Sequence, residues 1–378
     1  KKSKIKFYLS IVIAILVWLL FLYVNIRNYI NIFIIVIGTL SVVLFSSLYY
    51  SVLKSYYVRT CSFAFARSLL FNLKWGANYK ESLEASCEKI KGILNICKND
   101  ECEFWQVVLT EQVQESLASS KSVFEEMRRM YRIMKTAVNE YDENAVSAGK
   151  MAGGGGELMH KYNQKERKLL GDFLSLAAEY AIKTAESNAC MKRIVAAPTA
   201  GSCGIIPAVF IAYEQYYKVN EDSIIKALFT ASGIGEIVAE NASISGAQGG
   251  CQAEIGTAAA MAAGGVAYLE GGNGECIANA AALALKNMLG LVCDPVAGLV
   301  EVPCIKRNAI GAVNAITAAQ MALAGIKSVI PADEVIDAMF QIGCSLPACL
   351  RETSQAGLAA TPTALKIEKK LRSKGTLY

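Results

Sequence analysis

An all-α fold with functional loops is what this sequence predicts, on three observations. Beyond about Lys80 the alternating β-branched runs that mark strands are almost absent. Apolar residues recur there at helical spacing instead, most plainly as Leu117, Val123, Met127, Met130, Met134 and Val138. Glycine and proline then fall where helices end or begin, with Gly290 and Gly325 at C′ positions and Pro331 at a first turn. A chain of 378 residues has room for one large or two medium domains and a real core.

The front end has a different texture. Phe7 to Val24 and Asn28 to Leu53 carry no charge, and each is long enough to cross a bilayer as a helix, which takes roughly 20 residues. Lys1, Lys2, Lys4 and Lys6 precede the first run, and Lys54, Arg59 and Arg67 follow the second. Positive charge at both ends places them, and everything after them, on the cytoplasmic side. Residues 1–75 are therefore expected to form a transmembrane hairpin; the competing expectation is an extraneous extension joined to a soluble enzyme. A cleaved signal peptide fits less well, because no small-residue cleavage site follows the first run.

Residues 80–365 are expected to form the helical domain and 366–378 a basic tail. Thr110 to Asp142 reads as one long amphipathic helix, its methionine-bearing stripe serving core or subunit packing. Gly153 to Gly156 reads as a flexible loop, followed by the chain's only histidine, His160. Further helices are expected at Leu169–Ala189, Ser223–Ala231, Thr257–Leu269, Glu275–Leu289, Ala309–Ala324 and Pro331–Gln341.

The net charge of +5 is mild, and no basic stripe with interleaved aromatics is present, which argues against nucleic acid as a partner. Twelve cysteines would suit a short secreted disulfide protein, which this is not. Most, such as Cys190 and Cys276, sit in Ala-rich helical sequence where a free thiol acts as a small apolar group.

Four segments carry candidate chemistry: "IVAAPTAGSCGIIPA" (Ile194–Ala208), "ENASISGAQGGCQAE" (Glu240–Glu254), "GLVCDPVAGLVEVPCIKRN" (Gly290–Asn308) and "RETSQAGLAATPT" (Arg351–Thr363). Small residues let backbone N–H groups converge on an anion, and hydroxyls and amides add donors. Four such loops suggest a polar pocket walled by backbone. Helix connection by small residues is the plainer reading of any one of them. Zinc would ordinarily show two close ligand pairs, and only Cys97 and Cys102 come near that pattern. Cys251, Cys293 and Cys304 each sit within a Gly/Pro loop, where a disulfide, core packing or an iron–sulfur cluster would all suit the spacing.

In this order the four segments resemble the α chain of iron–sulfur-dependent L-serine dehydratase, from about Ser82 through "FWQVVLTEQ" to "LAATPT". The resemblance implies that Cys251, Cys293 and Cys304, in "GGCQAE", "LVCDPVAG" and "VPCIKRN", ligate a 4Fe–4S cluster. Three ligands would leave one iron open as a Lewis acid for the serine hydroxyl. Loss of the α-proton and of water would give an aminoacrylate, then an imine, then pyruvate and ammonia, without pyridoxal phosphate. Thr199, Ser202, Gly204, Asn241, Ser243, Ser245, Arg351 and Thr353 are expected to bind the substrate. His160 is the candidate base, with a partner chain as another source. Cys203 is expected to be a packing thiol.

The sequence departs from the family pattern in places. Gln248 stands where glutamate is usual and Ala356 where glycine is typical, and no thiol follows Cys349. With no regulatory domain evident before the helices, the resemblance implies a separate β subunit. Rival expectations are a hydro-lyase for another hydroxy acid, an iron–sulfur electron-transfer protein, and a membrane-anchored scaffold that has lost activity.

Overall fold

The computed structural model describes residues 88–373 and 375. The candidate spans, and the whole expected hairpin at 1–75, lie outside the described residues; no described helix is long and apolar enough to cross a membrane.

Twelve helices order the described chain: α1 (Ile90–Asn99), α2 (Phe104–Ser116), α3 (Ser120–Asn139), α4 (Gly155–Asn163), α5 (Gly171–Ala189), α6 (Ile205–Tyr217), α7 (Glu221–Asn241), α8 (Thr257–Leu269), α9 (Gly274–Lys286), α10 (Cys304–Leu323), α11 (Ala332–Ser345) and α12 (Pro362–Ser373). Among the described residues β-pairing is limited to one isolated parallel bridge, Cys293 to Arg351. The all-α expectation holds.

Helix α8 is the axis of the core. Its sequence, TAAAMAAGGVAYL, is apolar all round, and every residue from Thr257 to Ala267 is buried. Helices α6, α7, α9 and α10 pack around it. Close approach is possible because it presents small residues. A methyl group at Gly264 would run into Ile234 of α7, and one at Gly265 into Phe210 of α6.

The expected single helix over Thr110–Asp142 is two. Leu117 turns left-handed at φ 55°, and the Ser119 hydroxyl accepts the Ser122 N–H to start α3. Val123, Met134 and Val138 keep the stripe buried, but Leu117 is 78% exposed at the break.

Elsewhere the loops are shorter than the sequence suggests. Helix α6 takes up the last four residues of the expected loop Ile194–Ala208, with Pro207 harmless in its first turn. Helix α7 runs ten residues past Ala231 despite Gly233 and Gly235, because Ile234, Ile237 and Val238 are buried. Helix α12 crosses residue 366, so the basic stretch begins as helix. Helix α10 starts at Cys304 rather than Ala309, which places a thiol in its first turn.

The tetraglycine segment is not a loose loop. Gly153, Gly155 and Gly156 donate backbone N–H groups to the buried Glu186 carboxylate of α5, and α4 begins inside the run. Just before it, buried Glu301 accepts the Ser147 hydroxyl (2.6 Å) and the N–H groups of Gly149 (3.0 Å) and Met151 (3.2 Å).

Candidate active site

Three segments bring Cys251, Cys293 and Cys304 to one place, and backbone hydrogen bonds fix each. Cys251 follows a turn of helix at Gly246–Gly249, and the chain then passes through a π-helical turn, Gln252–Gly256, into α8. Gln252 is fully buried and ties this loop to the next. Its amide donates to Gly249 O and Met339 O and accepts from Gly290 N–H, while its own N–H donates to Leu291 O. Cys293 is held through the isolated bridge, its N–H donating to Leu350 O (2.9 Å) and its carbonyl accepting from Glu352 N–H (2.8 Å). Cys304 opens α10. One turn on, Asn308 donates to Cys304 O (2.9 Å) and Gly201 O (2.8 Å) and accepts from Gly204 N–H (2.8 Å). That stitch adds the segment before α6 to the site.

All three thiols are buried. Burial pushes Cys251 up to about 11, with Glu254 adding to the rise and Arg307 opposing it. It pushes Cys304 up to about 12, where the charges of Cys251 and Glu254 add to the effect. Cys293 rises further still, first from burial and then from Cys251, Glu254, Glu352 and Cys304. The thiols therefore feel one another and share one site. No group of three or more His, Cys, Asp or Glu among the described residues closes on a single metal ion. Ten described cysteines are free thiols.

Arg307 is the cation of this site. It donates to Val292 O (2.9 Å) and Asp294 Oδ1 (3.0 Å) and lies near the Cys251 thiol. Buried Asp294 also accepts Leu358 N–H at 2.8 Å, drawing in the fourth segment.

The carboxylate of Glu254 adjoins the thiols. Its Oε1 accepts the Thr199 hydroxyl at 2.7 Å, and Ser202 Oγ lies 3.1 Å from that same hydroxyl. A Cβ on Gly246 would sit 2.8 Å from Glu254 Oε2 and 2.9 Å from Cys293 Sγ, so only glycine fits against these two groups. Burial raises the Glu254 pKa, with the Thr199 hydrogen bond opposing.

Beside the Cys251 loop lies a cavity of about 250 Å³, bordered by Ser243, Gln248, Phe340, Cys344 and Arg351 among others. The Arg351 Nη1 group donates to Gln248 O at 3.4 Å, and its buried Nε has no hydrogen-bond partner among the described residues. Gln248 accepts the Ser243 hydroxyl at 2.8 Å.

Of the residues expected at the site, the structure gathers Thr199, Ser202, Gly204 and the three thiols around Glu254 and Asn308, and Ser243 and Arg351 at the cavity. Ser245 caps the Gly246–Gly249 turn. The Asn241 amide donates to Glu88 O and Ile237 O at the end of α7, and Thr353 donates to Ala348 O. His160, its side chain 45% exposed, bonds Glu179 of α5, and none of its hydrogen bonds runs to the cysteine loops. Cys203 is wholly buried, as a packing thiol should be. Sequence reasoning passed over Glu254, Arg307, Asp294 and Asn308. Their signal was a charged or amide side chain next to a loop cysteine in otherwise apolar sequence.

Fold and site define an all-α protein with a thiol- and carboxylate-lined centre walled by glycine loops. The model of the serine dehydratase alpha chain family matches residues 99–359. The probable L-serine dehydratase, alpha chain, of Bacillus subtilis is 46% identical over 282 residues, covering 75% of this chain and 94% of that protein. The L-serine dehydratase, alpha chain, of Peptoniphilus asaccharolyticus is 38% identical over 284 residues, covering 75% and 97%. The Escherichia coli L-serine dehydratase TdcG is 48% identical over 182 residues, covering 48% of this chain and 40% of its own. The chain belongs to the serine dehydratase alpha chain family.

Proposed function

We propose that this protein is a lyase that converts L-serine to pyruvate and ammonia, with Cys251, Cys293 and Cys304 as ligands of a 4Fe–4S cluster. The observation that carries this reading is the gathering of three buried thiols from separate segments at one site. Three cysteines drawn from separate segments are the kind of donor set such a cluster takes. A cluster bound by three protein ligands supplies a Lewis-acidic iron that favours departure of the serine hydroxyl.

The chain's own residues do the rest. Arg307 sets a cation against the Cys251 sulfur and is kept there by Asp294. Arg351 borders the cavity and supplies the cation that a serine carboxylate would pair with. The cavity of about 250 Å³ has room for a small amino acid and some water, at ~30 Å³ per water. Thr199 and Ser202 bring hydroxyls to the thiol side. The similarity to proteins named as alpha chains supports a second, β chain as partner. The chemistry needs no pyridoxal phosphate.

The test is anaerobic loading of the full chain with iron and sulfide, then a pyruvate assay with and without a β chain. Serine-dependent pyruvate, with about four irons bound per chain as a cubane requires, is the expected result. Iron uptake without pyruvate in either assay would remove the serine reading.

A further inference from the structure

Cys97 and Cys102 belong to none of the segments that make the thiol site, and the fold gives this pair a geometry of its own. Helix α1 ends at Asn99, Asp100 caps it, and Glu101 turns left-handed at φ 49°. The chain thereby doubles back, and the Cys102 N–H donates to Cys97 O at 3.1 Å. A left-handed residue, with a bond from the residue after it to the third-last residue of the helix, is a Schellman ending. That motif brings the side chains of those two positions together, and an apolar contact is usual there. Here both side chains are thiols.

That closeness matters for chemistry. The short backbone bond holds the two Cα atoms at about the separation, roughly 4.4–6.8 Å, that a disulfide spans. Both side chains pack on the core yet stay part-exposed, so a small molecule in solvent can reach them. Burial pushes the Cys97 thiol up to about 12, and the neighbouring Cys102 adds to the rise. Cys97 thus keeps its proton, which leaves Cys102 as the sulfur that attacks first. Cys190 and Cys276 are also part-exposed, but the charges that shift Cys190 include no cysteine and Cys276 is shifted by burial alone.

We propose that Cys97 and Cys102 form a redox modification site, oxidised reversibly to an intramolecular disulfide by a low-molecular-weight disulfide such as oxidised glutathione. The Cys102 thiolate attacks one sulfur of that molecule, its S–S bond breaks, and one glutathione thiolate leaves. Cys97 gives its proton to the departing thiolate, and its sulfur then attacks Cys102, breaking the mixed disulfide and releasing the second glutathione. Two protein thiols have lost two electrons, and one small disulfide has become two thiols. The new bond pins the end of α1 just ahead of α2. The other end of α1 is already tied, because the Ile90 and Lys91 N–H groups donate to Asp333 of α11. The site stands apart from the serine reading, since neither iron nor substrate takes part.

The test exposes the full chain, held anaerobically, to graded ratios of oxidised to reduced glutathione, then blocks free thiols and digests with trypsin. Cleavage after Lys98 puts the two cysteines on separate peptides, Gly92–Lys98 and Asn99–Lys121, so their disulfide shows in mass spectrometry as a linked pair. The linked pair should reach half at a ratio roughly tenfold below the one that half-modifies Cys190 or Cys276, because a neighbouring thiol acts at a millimolar or higher effective concentration. Dithiothreitol should restore both free peptides. Cys97→Ser should instead hold glutathione on Cys102, with no second thiol to displace it. The inference is overturned if the linked pair never forms, forms only between two chains on a non-reducing gel, or forms no more readily than Cys190 and Cys276 are modified. A wild-type chain that keeps glutathione on Cys102 overturns it too, as does a Cys97→Ser chain that takes none.

Discussion

The segment at 147–156 and the segments carrying the thiols are both rich in glycine, yet they treat buried polar groups in opposite ways. In the first, glycines bring backbone N–H groups onto Glu186 and Glu301 until each carboxylate has three or four donors. In the second, Gly246 and Gly201 let backbone lie so close to Glu254 and Cys293 that a Cβ would collide with them, and Glu254 has a single side-chain donor, Thr199. The same residue type thus supplies donors in one region and only close approach in the other. A carboxylate saturated by backbone N–H groups builds structure, and one with a single donor leaves an oxygen unengaged.

The contrast can be broken most severely at the thiols. Cys293→Ala should abolish iron retention after anaerobic loading while leaving the helical circular dichroism intact, since a small apolar side chain replaces a buried thiol. Retained iron at wild-type stoichiometry would disqualify Cys293 as a ligand. On the closed side, Glu301→Ala strands a buried hydroxyl and two backbone N–H groups. It should cost about 3–4 kcal/mol in urea unfolding, at ~1–3 kcal/mol for each unsatisfied group. A loss below about 1 kcal/mol would show that water replaces the carboxylate at little cost.

Asn308→Ala tests the stitch between the two kinds of region, because it removes bonds to Gly201, Cys304 and Gly204 together. A loss of about 2 kcal/mol is expected, together with faster release of iron measured by chelator challenge. Iron release at the wild-type rate would mean that Cys304 holds its place without the stitch. Ser147→Ala should have the smallest effect, about 1 kcal/mol by the same unfolding measurement, because Glu301 keeps its two backbone donors. A larger loss would mark the bond from Ala152 N–H to the Ser147 hydroxyl as the greater part of that residue's worth.

How much of this was legible depends on where the information lies. The identity of the core helix was readable, since an apolar run such as Thr257–Leu269 with no strand pattern has few other options, and its expected boundaries match. The break at Ser119 was also written in the sequence as an N-cap residue, but the apolar stripe runs across it and hides it. The start of α10 at Cys304 was missed because the prolines and glycines just before it read as a longer loop. At the site, the thiols were found through resemblance. Glu254 and Arg307 were in plain view without a role, because their meaning lies in partners more than fifty residues away for one and in two neighbouring turns for the other.

By itself the sequence determined what needs only local order and composition: helices in place of strands, small residues wherever helices must touch, and thiols carried on segments that cannot be helical throughout. Tertiary structure alone decided which carboxylate would be saturated and which left short of donors. Glu186, Glu301 and Glu254 are the same side chain in sequence, and only the approach of distant backbone can distinguish them. A hydrogen bond requires its two atoms within a few ångströms, and separation along the chain places no such limit.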